Sequence, residues 1–243
     1  MNPPFVSAGR TETGHVRRHN EDAILVADSL NLWAVADGLG GHAAGDVASA
    51  LIVDRLRSLP LCRDVMDTMD AIEDELLRIN RRLRAMARER RVDTVASTVV
   101  LLLHTRDLVL VGWVGDSRAY VFQDGRLEQV TRDHVHGQRS DETRFGAVNA
   151  RAPAGVLTRA VGAEDRLYVD WAVCARRPGT CFLLCSDGIN KELSDTDIER
   201  HCQRHTDPQA LIDALVGTAL DRAGRDNVSA VAVRLDAYEE PQS

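Results

Sequence analysis

The sequence predicts an α+β domain in which helix pairs pack outside antiparallel strands. Three observations carry that prediction. Short apolar runs of strand length recur with links of only a few residues, which suit antiparallel neighbours. Two longer stretches, 43–59 and 67–90, instead carry apolar residues at helical spacing. The regular strand–helix–strand alternation of a parallel sheet is missing. With 243 residues, 44% hydrophobic and 28% charged, the chain has the composition of a globular protein with a sizeable core. No repeat, low-complexity segment or linker divides it, so residues 1–243 read as one domain.

Taken in order, residues 1–12 read as a loose entry. The polar stretch from Thr13 to Asp22 leads into a strand over 23–28. Ser29-Leu30-Asn31 is short enough to turn the chain back into the apolar run Leu32-Trp33-Ala34-Val35-Ala36. That run ends at Asp37-Gly38, in a glycine-rich turn that opens a helix over 43–59. A second helix covers 67–90, where Met69, Ile72, Leu76, Ile79, Leu83 and Met86 recur in steps of three and four. Strands follow over 98–103, 108–114, 119–122 and 127–130, read as one antiparallel meander. Residues 132–156 have little periodicity and read as a flap-like functional loop. Strands resume at 168–173 and 181–185. Of the two helices after them, one is capped by Ser194 or Asp195. The other has Asp207 as N-cap and Pro208 at its first position. A last strand spans 228–235, and 237–243 is a frayed tail.

A net charge of −7 and a pI near 5.6 argue against nucleic acid, because phosphate-backbone binding needs a cationic face. No apolar run reaches the ~18–20 residues that span a bilayer, and the first residues lack the basic and apolar regions of a signal peptide. Membrane insertion is therefore not expected. The five cysteines show no metal-ligand spacing, and Cys181 and Cys185 sit in an apolar run where a thiol behaves as a small hydrophobe. Reduced thiols in a cytoplasmic, monomeric protein are the expectation.

The acidic residues share a grammar. Asp22 lies just before a strand, Asp37 closes one, Asp187 follows one, and Asp226-Asn227 opens the last. Asp116 falls between two strands in Gly115-Asp116-Ser117-Arg118. A single Asp-Gly is ordinarily a turn. Several aspartates gathered at sheet ends, however, repel one another unless cations sit among them. Oxygen donors without a His or Cys pattern suit hard ions such as Mg²⁺ or Mn²⁺.

Eight segments, in order, then carry a resemblance. They are Gly14-x-x-Arg17-x-x-Asn20-Glu21-Asp22, Asp37-Gly38-x-Gly40-Gly41-His42-x-x-Gly45, Ser97-Thr98, Gly115-Asp116-Ser117-Arg118-x-Tyr120, Thr131-x-Asp133-His134, Leu157-Thr158-Arg159-Ala160-x-Gly162, Ser186-Asp187-Gly188 and Asp226-Asn227. Together they resemble the metal-dependent serine/threonine phosphatases of the protein phosphatase 2C (PPM) family in their compact bacterial form. The resemblance implies a β-sandwich flanked by helix pairs, a four-layer α-β-β-α arrangement with a binuclear Mn²⁺ or Mg²⁺ centre at one end. By position, Asp37 bridges both ions and the Gly38 carbonyl binds one. Asp187 and Asp226 hold the second ion, and Glu21 and Asp22 support the site. Asp116 with Asp187 matches a third metal site, and Arg17 matches the arginine that grips substrate phosphate. A metal-activated water would attack phosphoserine or phosphothreonine on protein substrates, opposing a bacterial Ser/Thr kinase.

Two departures stand out. Leu39 occupies the position where eukaryotic members carry a histidine proposed as general acid, and His42 does not inherit that role. The segment between Asp133 and Leu157 is short for the family's flap. Among rival readings, Gly38-x-Gly40-x-x-Ala43 mimics a dinucleotide fingerprint, but Asp37 would face a pyrophosphate and residues 60–90 are helix where a second strand belongs. His201-x-x-x-His205 reads as an exposed helix face. The alternative from another class is a catalytically weak binding module of the same fold. Such proteins lose metal aspartates, whereas Asp37, Asp187 and Asp226 are present.

Overall fold

A computed structural model describes residues 5–40, 44–60, 64–136 and 156–237. Burial along its strands dictates the layering. In β3 (Leu32–Leu39), Trp33 and Val35 enter one apolar cluster while Ala34 and Ala36 enter another. All six residues of β5 (Val99–His104) are buried. A strand covered on both faces lies between two layers.

Two antiparallel sheets supply the inner layers. Sheet one runs β1 (Phe5–Glu12), β11 (Val228–Leu235), β10 (Cys181–Cys185), β7 (Arg118–Gln123), β8 (Arg126–Gln129). Sheet two runs β2 (Asp22–Ala27), β3, β5, β6 (Leu108–Val114), β9 (Asp170–Ala175), with the short β4 (Ala96–Ser97) beside β3. Between the sheets pack Trp33, Val100, Val111, Phe182, Leu184 and Val231, with Phe5 edge-on to Trp33 at 4.9 Å. Small residues on the opposite faces, such as Ala34 and Ala36 on sheet two and Ala230 and Ala232 on sheet one, let helices approach closely.

Helices α1 (Gly45–Arg57) and α2 (Val65–Arg90) cover sheet two through Ala48, Ile52, Ile72, Leu76 and Leu83. A one-turn helix α3 (Asp187–Asn190) follows β10. Helices α4 (Asp195–Arg204) and α5 (Pro208–Arg222) then cover sheet one through Ile198, Cys202, Leu211 and Leu215. Each fully buried Leu or Ile contributes on the order of 1.5–3 kcal/mol, and each sheet is held by helices on one face and by the other sheet on the opposite face. The α+β sandwich with outer helices is as expected. Among the described residues, no helix is long and apolar enough to cross a membrane.

The termini of the helices follow their caps. Asp64 accepts from the Met66 amide at the start of α2. Ser194 caps α4 in a reciprocal box with Asp197, which settles the choice between Ser194 and Asp195. Asp207 caps α5 ahead of Pro208.

Three expectations need correction. The supposedly loose entry contains β1, which pairs with β11 from Phe5↔Leu235 to Glu12↔Val228. Residues 98–130 are not one meander, because β5 and β6 lie in sheet two while β7 and β8 lie in sheet one. The strand expected from residue 168 starts at Asp170. Residues 137–155 of the expected flap, His42 in the glycine-rich turn, Cys62 and the tail beyond 237 lie outside the described residues.

Candidate metal centre

Strand direction delivers the acidic residues to one end of the sandwich. Asp22 opens β2 and lies directly opposite Asp37 on β3. Strands β10 and β11 are antiparallel, so the exit of one, with Asp187, neighbours the entry of the other, with Asp226. The two sheets meet at this end through Asp22. Its Oδ2 accepts from the Ser186 hydroxyl at 2.7 Å and from the Ser229 hydroxyl at 2.6 Å. The Ser229 amide donates to Ser186 Oγ at 3.1 Å. Asn20 Nδ2 donates to Thr11 Oγ1 at 2.8 Å, and Thr11 and Ser229 share a 2.7 Å bond. Because Ser229 spends its own proton on Asp22, Thr11 is the donor in that pair. The hydroxyls thus form a directed relay ending on one carboxylate oxygen.

Asp37 is fixed through its backbone. Its amide donates to Thr98 Oγ1 at 3.1 Å, and its carbonyl accepts from the Thr98 amide at 2.8 Å. Thr98 Oγ1 also meets Ser117 Oγ at 2.7 Å, inside a fully buried contact. One threonine therefore ties Asp37 in sheet two to the turn that carries Asp116. That turn passes the chain between sheets at Gly115, whose φ of +115° and 2.6 Å clearance to Thr98 exclude a side chain. Gly115 donates to His134 Nδ1 at 3.0 Å, and its carbonyl accepts from the His134 amide at 3.0 Å. The His134 Nε2 proton is then left to face Asp170, 3.1 Å away.

Gly38 permits a second close approach. Its amide donates to the Glu21 carbonyl at 3.0 Å, and a Cβ there would lie 2.1 Å from the Gly45 carbonyl oxygen. The Glu21 amide donates to Asn227 Oδ1 at 2.9 Å, while Asn227 Nδ2 reaches the carbonyls of Thr13 and His19. Asn227, beside Asp226, thus anchors the polar loop that bears Arg17, Glu21 and Asp22.

Two cations meet these carboxylates. Arg17 forks onto Asp226, with Nε 2.8 Å from Oδ1 and Nη2 2.9 Å from Oδ2. Lys191 pairs with Asp187 four residues earlier and lies 3.9 Å from Asp226 Oδ2. Burial, then the neighbouring aspartates, push Asp22 up to about 7 against the pull of its serine donors. Asp37 is held well above the usual carboxylate range by burial and by Asp22, Asp187, Asp116 and Asp226. Burial and Asp187 raise Asp116 to about 6, and burial raises Glu21.

Among the described residues, no three His, Cys, Asp or Glu side chains already form a ligand group; Asp187 and Asp226 are instead engaged by Lys191 and Arg17. The chemistry of the site nevertheless fits hard divalent ions. Every donor is an oxygen, and Asp22 Oδ1 is buried without a hydrogen-bond partner. The charges of Asp187 and Asp226 on one sheet raise Asp22 and Asp37 on the other, which a cation would reverse. Thiol chemistry has no place here, because burial pushes Cys185 and Cys202 up to about 12. The structure brings Arg17, Glu21, Asp22, Asp37, Gly38, Asp116, Asp187 and Asp226 to this one end. It adds Lys191, Ser186, Ser229 and Asn227, which the sequence does not single out as contacts. Ser186 and Asn227 lie in the segments Ser186-Asp187-Gly188 and Asp226-Asn227, and the four-residue spacing of Asp187 and Lys191 is the signal for the lysine.

A sandwich of two antiparallel sheets with helix pairs outside, its acidic residues at one rim, defines the class of the PPM-type phosphatases. Residues 11–216 match the family described as Protein phosphatase 2C, and the chain belongs to that family. The serine/threonine phosphatase stp of Listeria welshimeri is 31% identical, the match covering 95% of this chain and 96% of the relative. PppA, described as a key regulatory component of T6SS in Pseudomonas aeruginosa, superposes with a TM-score of 0.87 at 40% identity. That match covers 95% of this chain and 97% of PppA. The catalytic domain of the phosphatase PstP, solved in complex with two manganese ions, gives a TM-score of 0.82 at 30% identity. There the cover is 96% of this chain and 99% of the domain.

Proposed function

We propose that this chain, acting as a single phosphatase domain, removes phosphate from phosphoserine and phosphothreonine side chains of proteins. In this reading Asp37, the Gly38 carbonyl, Asp187 and Asp226 would hold two Mn²⁺ or Mg²⁺ ions. Glu21 and Asp22 support the set. When bound, such ions lower the pKa of water and neutralise phosphoryl charge. The observation that carries the reading is the register pair Asp22↔Asp37 on one sheet, joined by Ser186 to the Asp187 end of the other.

The protein's own residues then do the following. The Thr98–Ser117 contact holds Asp37 and the Asp116 turn at fixed spacing. Arg17 is exposed and forked, so its guanidinium can turn from Asp226 to two phosphoryl oxygens. Leu39 has no proton to give, so the leaving serine or threonine oxygen takes its proton from solvent. Identity with PppA at 40% supports a regulatory role of the T6SS kind. The proposed setting is the cytoplasm, where the chain would oppose a bacterial Ser/Thr kinase as a monomer.

The test is Mn²⁺-dependent hydrolysis of p-nitrophenyl phosphate and of a phosphothreonine peptide, with and without EDTA. Activity should vanish with EDTA and in Asp187→Ala and Asp226→Ala. Retention of wild-type rates in either variant would overturn the ligand assignment.

A further inference from the structure

Residues 13–21 carry the chain from β1 to β2 around the acidic rim, and their backbone is held at several points. Asn227 Nδ2 donates to the carbonyls of Thr13 and His19, and the Asn227 side-chain oxygen accepts from the Glu21 amide. The His15 amide donates to the Gly224 carbonyl at 2.8 Å. At Gly14, with φ of +78°, an added Cβ would lie 2.2 Å from the Asp226 carbonyl oxygen, so the loop presses directly on the rim. None of these anchors uses a carboxylate. The tip between them is the reverse, with His15, Val16, Arg17, Arg18 and His19 all exposed. Val16, at 66%, is the most exposed large apolar side chain among the described residues. Arg17 turns back to Asp226, whereas the Arg18 guanidinium has no hydrogen bond or ion pair among the described residues.

We propose that Arg18 selects the substrate residue beside the phosphorylated one, drawing in an acidic side chain while Arg17 takes the phosphate. The inference rests on the phosphatase reading above and names a substrate class for it: phosphoproteins with acidic residues next to the phosphorylated serine or threonine. Consecutive Cα atoms lie about 3.8 Å apart in both chains, so a guanidinium one residue from Arg17 is within reach of the residues that flank the phosphate. Glu21, Asp37, Asp187 and Asp226 on the rim repel an acidic peptide, so an unpaired cation at the tip decides where such a peptide can lie. Arginine is charged at every working pH. The anchored loop base means that little order is lost when a peptide crosses the tip.

The test measures kcat/KM of the full chain with Mn²⁺ on three phosphothreonine peptides, which carry Glu, Ala or Lys on both sides of the phosphothreonine. Wild type should favour the Glu peptide over the Lys peptide by about 5-fold at low ionic strength, the size of an exposed charge contact. Arg18→Glu should reverse the order and Arg18→Lys should keep it. High salt should narrow the preference in every case. Reversal of preference by reversal of charge is a readout that a merely structural role would not give. Equal rates or a Lys preference in wild type, or the same order in wild type and Arg18→Glu, would overturn the inference and leave the phosphatase reading standing. Hydrolysis of none of the three peptides by wild type would overturn both.

Discussion

Asp22 and Asp37 stand directly opposite each other on neighbouring strands, β2 and β3. Like charges in that position destabilise a sheet, and here burial and proximity raise both carboxyls. A raised carboxyl favours the fold at low pH, where it is protonated. That contribution fades as pH climbs from the ordinary value near 4 towards about 7 for Asp22. Metal-free protein should therefore gain stability as pH falls from 7 to 5, measured by thermal denaturation in EDTA. Asp22→Asn should stabilise the metal-free protein at pH 7.5 by on the order of 1 kcal/mol, roughly 2–4 °C in Tm. A lower Tm for this variant would refute the repulsion argument.

The Thr98 hydroxyl serves Asp37 and Ser117 at once. Thr98→Val keeps the shape and leaves a buried amide and a buried hydroxyl short of a partner, at about 1–3 kcal/mol each. Thr98→Ser keeps the hydroxyl and loses one methyl, at about 1 kcal/mol. Urea denaturation should rank wild type, Ser, then Val. Phosphatase activity should survive in the Ser variant and fall sharply in the Val variant.

Arg17 is exposed and makes both of its fork contacts with Asp226. If it also grips phosphate, Arg17→Ala should lower kcat/KM for a phosphothreonine peptide by about 10–100-fold, as loss of charged hydrogen bonds worth about 1.5–3 kcal/mol implies. Arg17→Lys should recover only part, since an ammonium lacks the fork. Equal kcat/KM in wild type and Arg17→Ala would remove Arg17 from the substrate site.

A separate acid sensitivity lies far from the aspartates. His104 is buried beside Phe5, and its Nε2 accepts from Arg176 Nε at 3.1 Å. Burial and then the Arg176 charge lower it to about 4. A lowered histidine contributes stability above its unfolded value near 6.5, and that contribution is lost as pH falls through 4. His104→Gln should remove on the order of 1–2 kcal/mol of the stability change between pH 7 and pH 4, read from denaturant midpoints.

Much of this was legible in the residues. Helical stripes such as Ile72, Leu76 and Leu83 and the caps Asp207 and Ser194 act locally, so sequence reports them directly. The aspartates announced themselves because charge at strand ends is costly without a partner. Sheet membership was not legible. The three residues Gly115, Asp116 and Ser117 look like a hairpin turn, and only the hold of His134 on Gly115 and the clusters on either side reveal a crossing. Strand β1 was hidden for a related reason. Its Phe5 and Ala8 face different cores while the residues around them stay partly exposed, so no period-two pattern emerges.

The bonds from Ser186 and Ser229 to Asp22 join the two sheets at this rim, beside the Glu21–Asn227 and Thr98–Ser117 contacts. Chemistry and cohesion therefore share one rivet. On the proposed reading, a cell short of divalent cations would keep a loosened phosphatase that proteases reach more easily. Dephosphorylation would then decline twice, through slower turnover and through a shorter-lived protein.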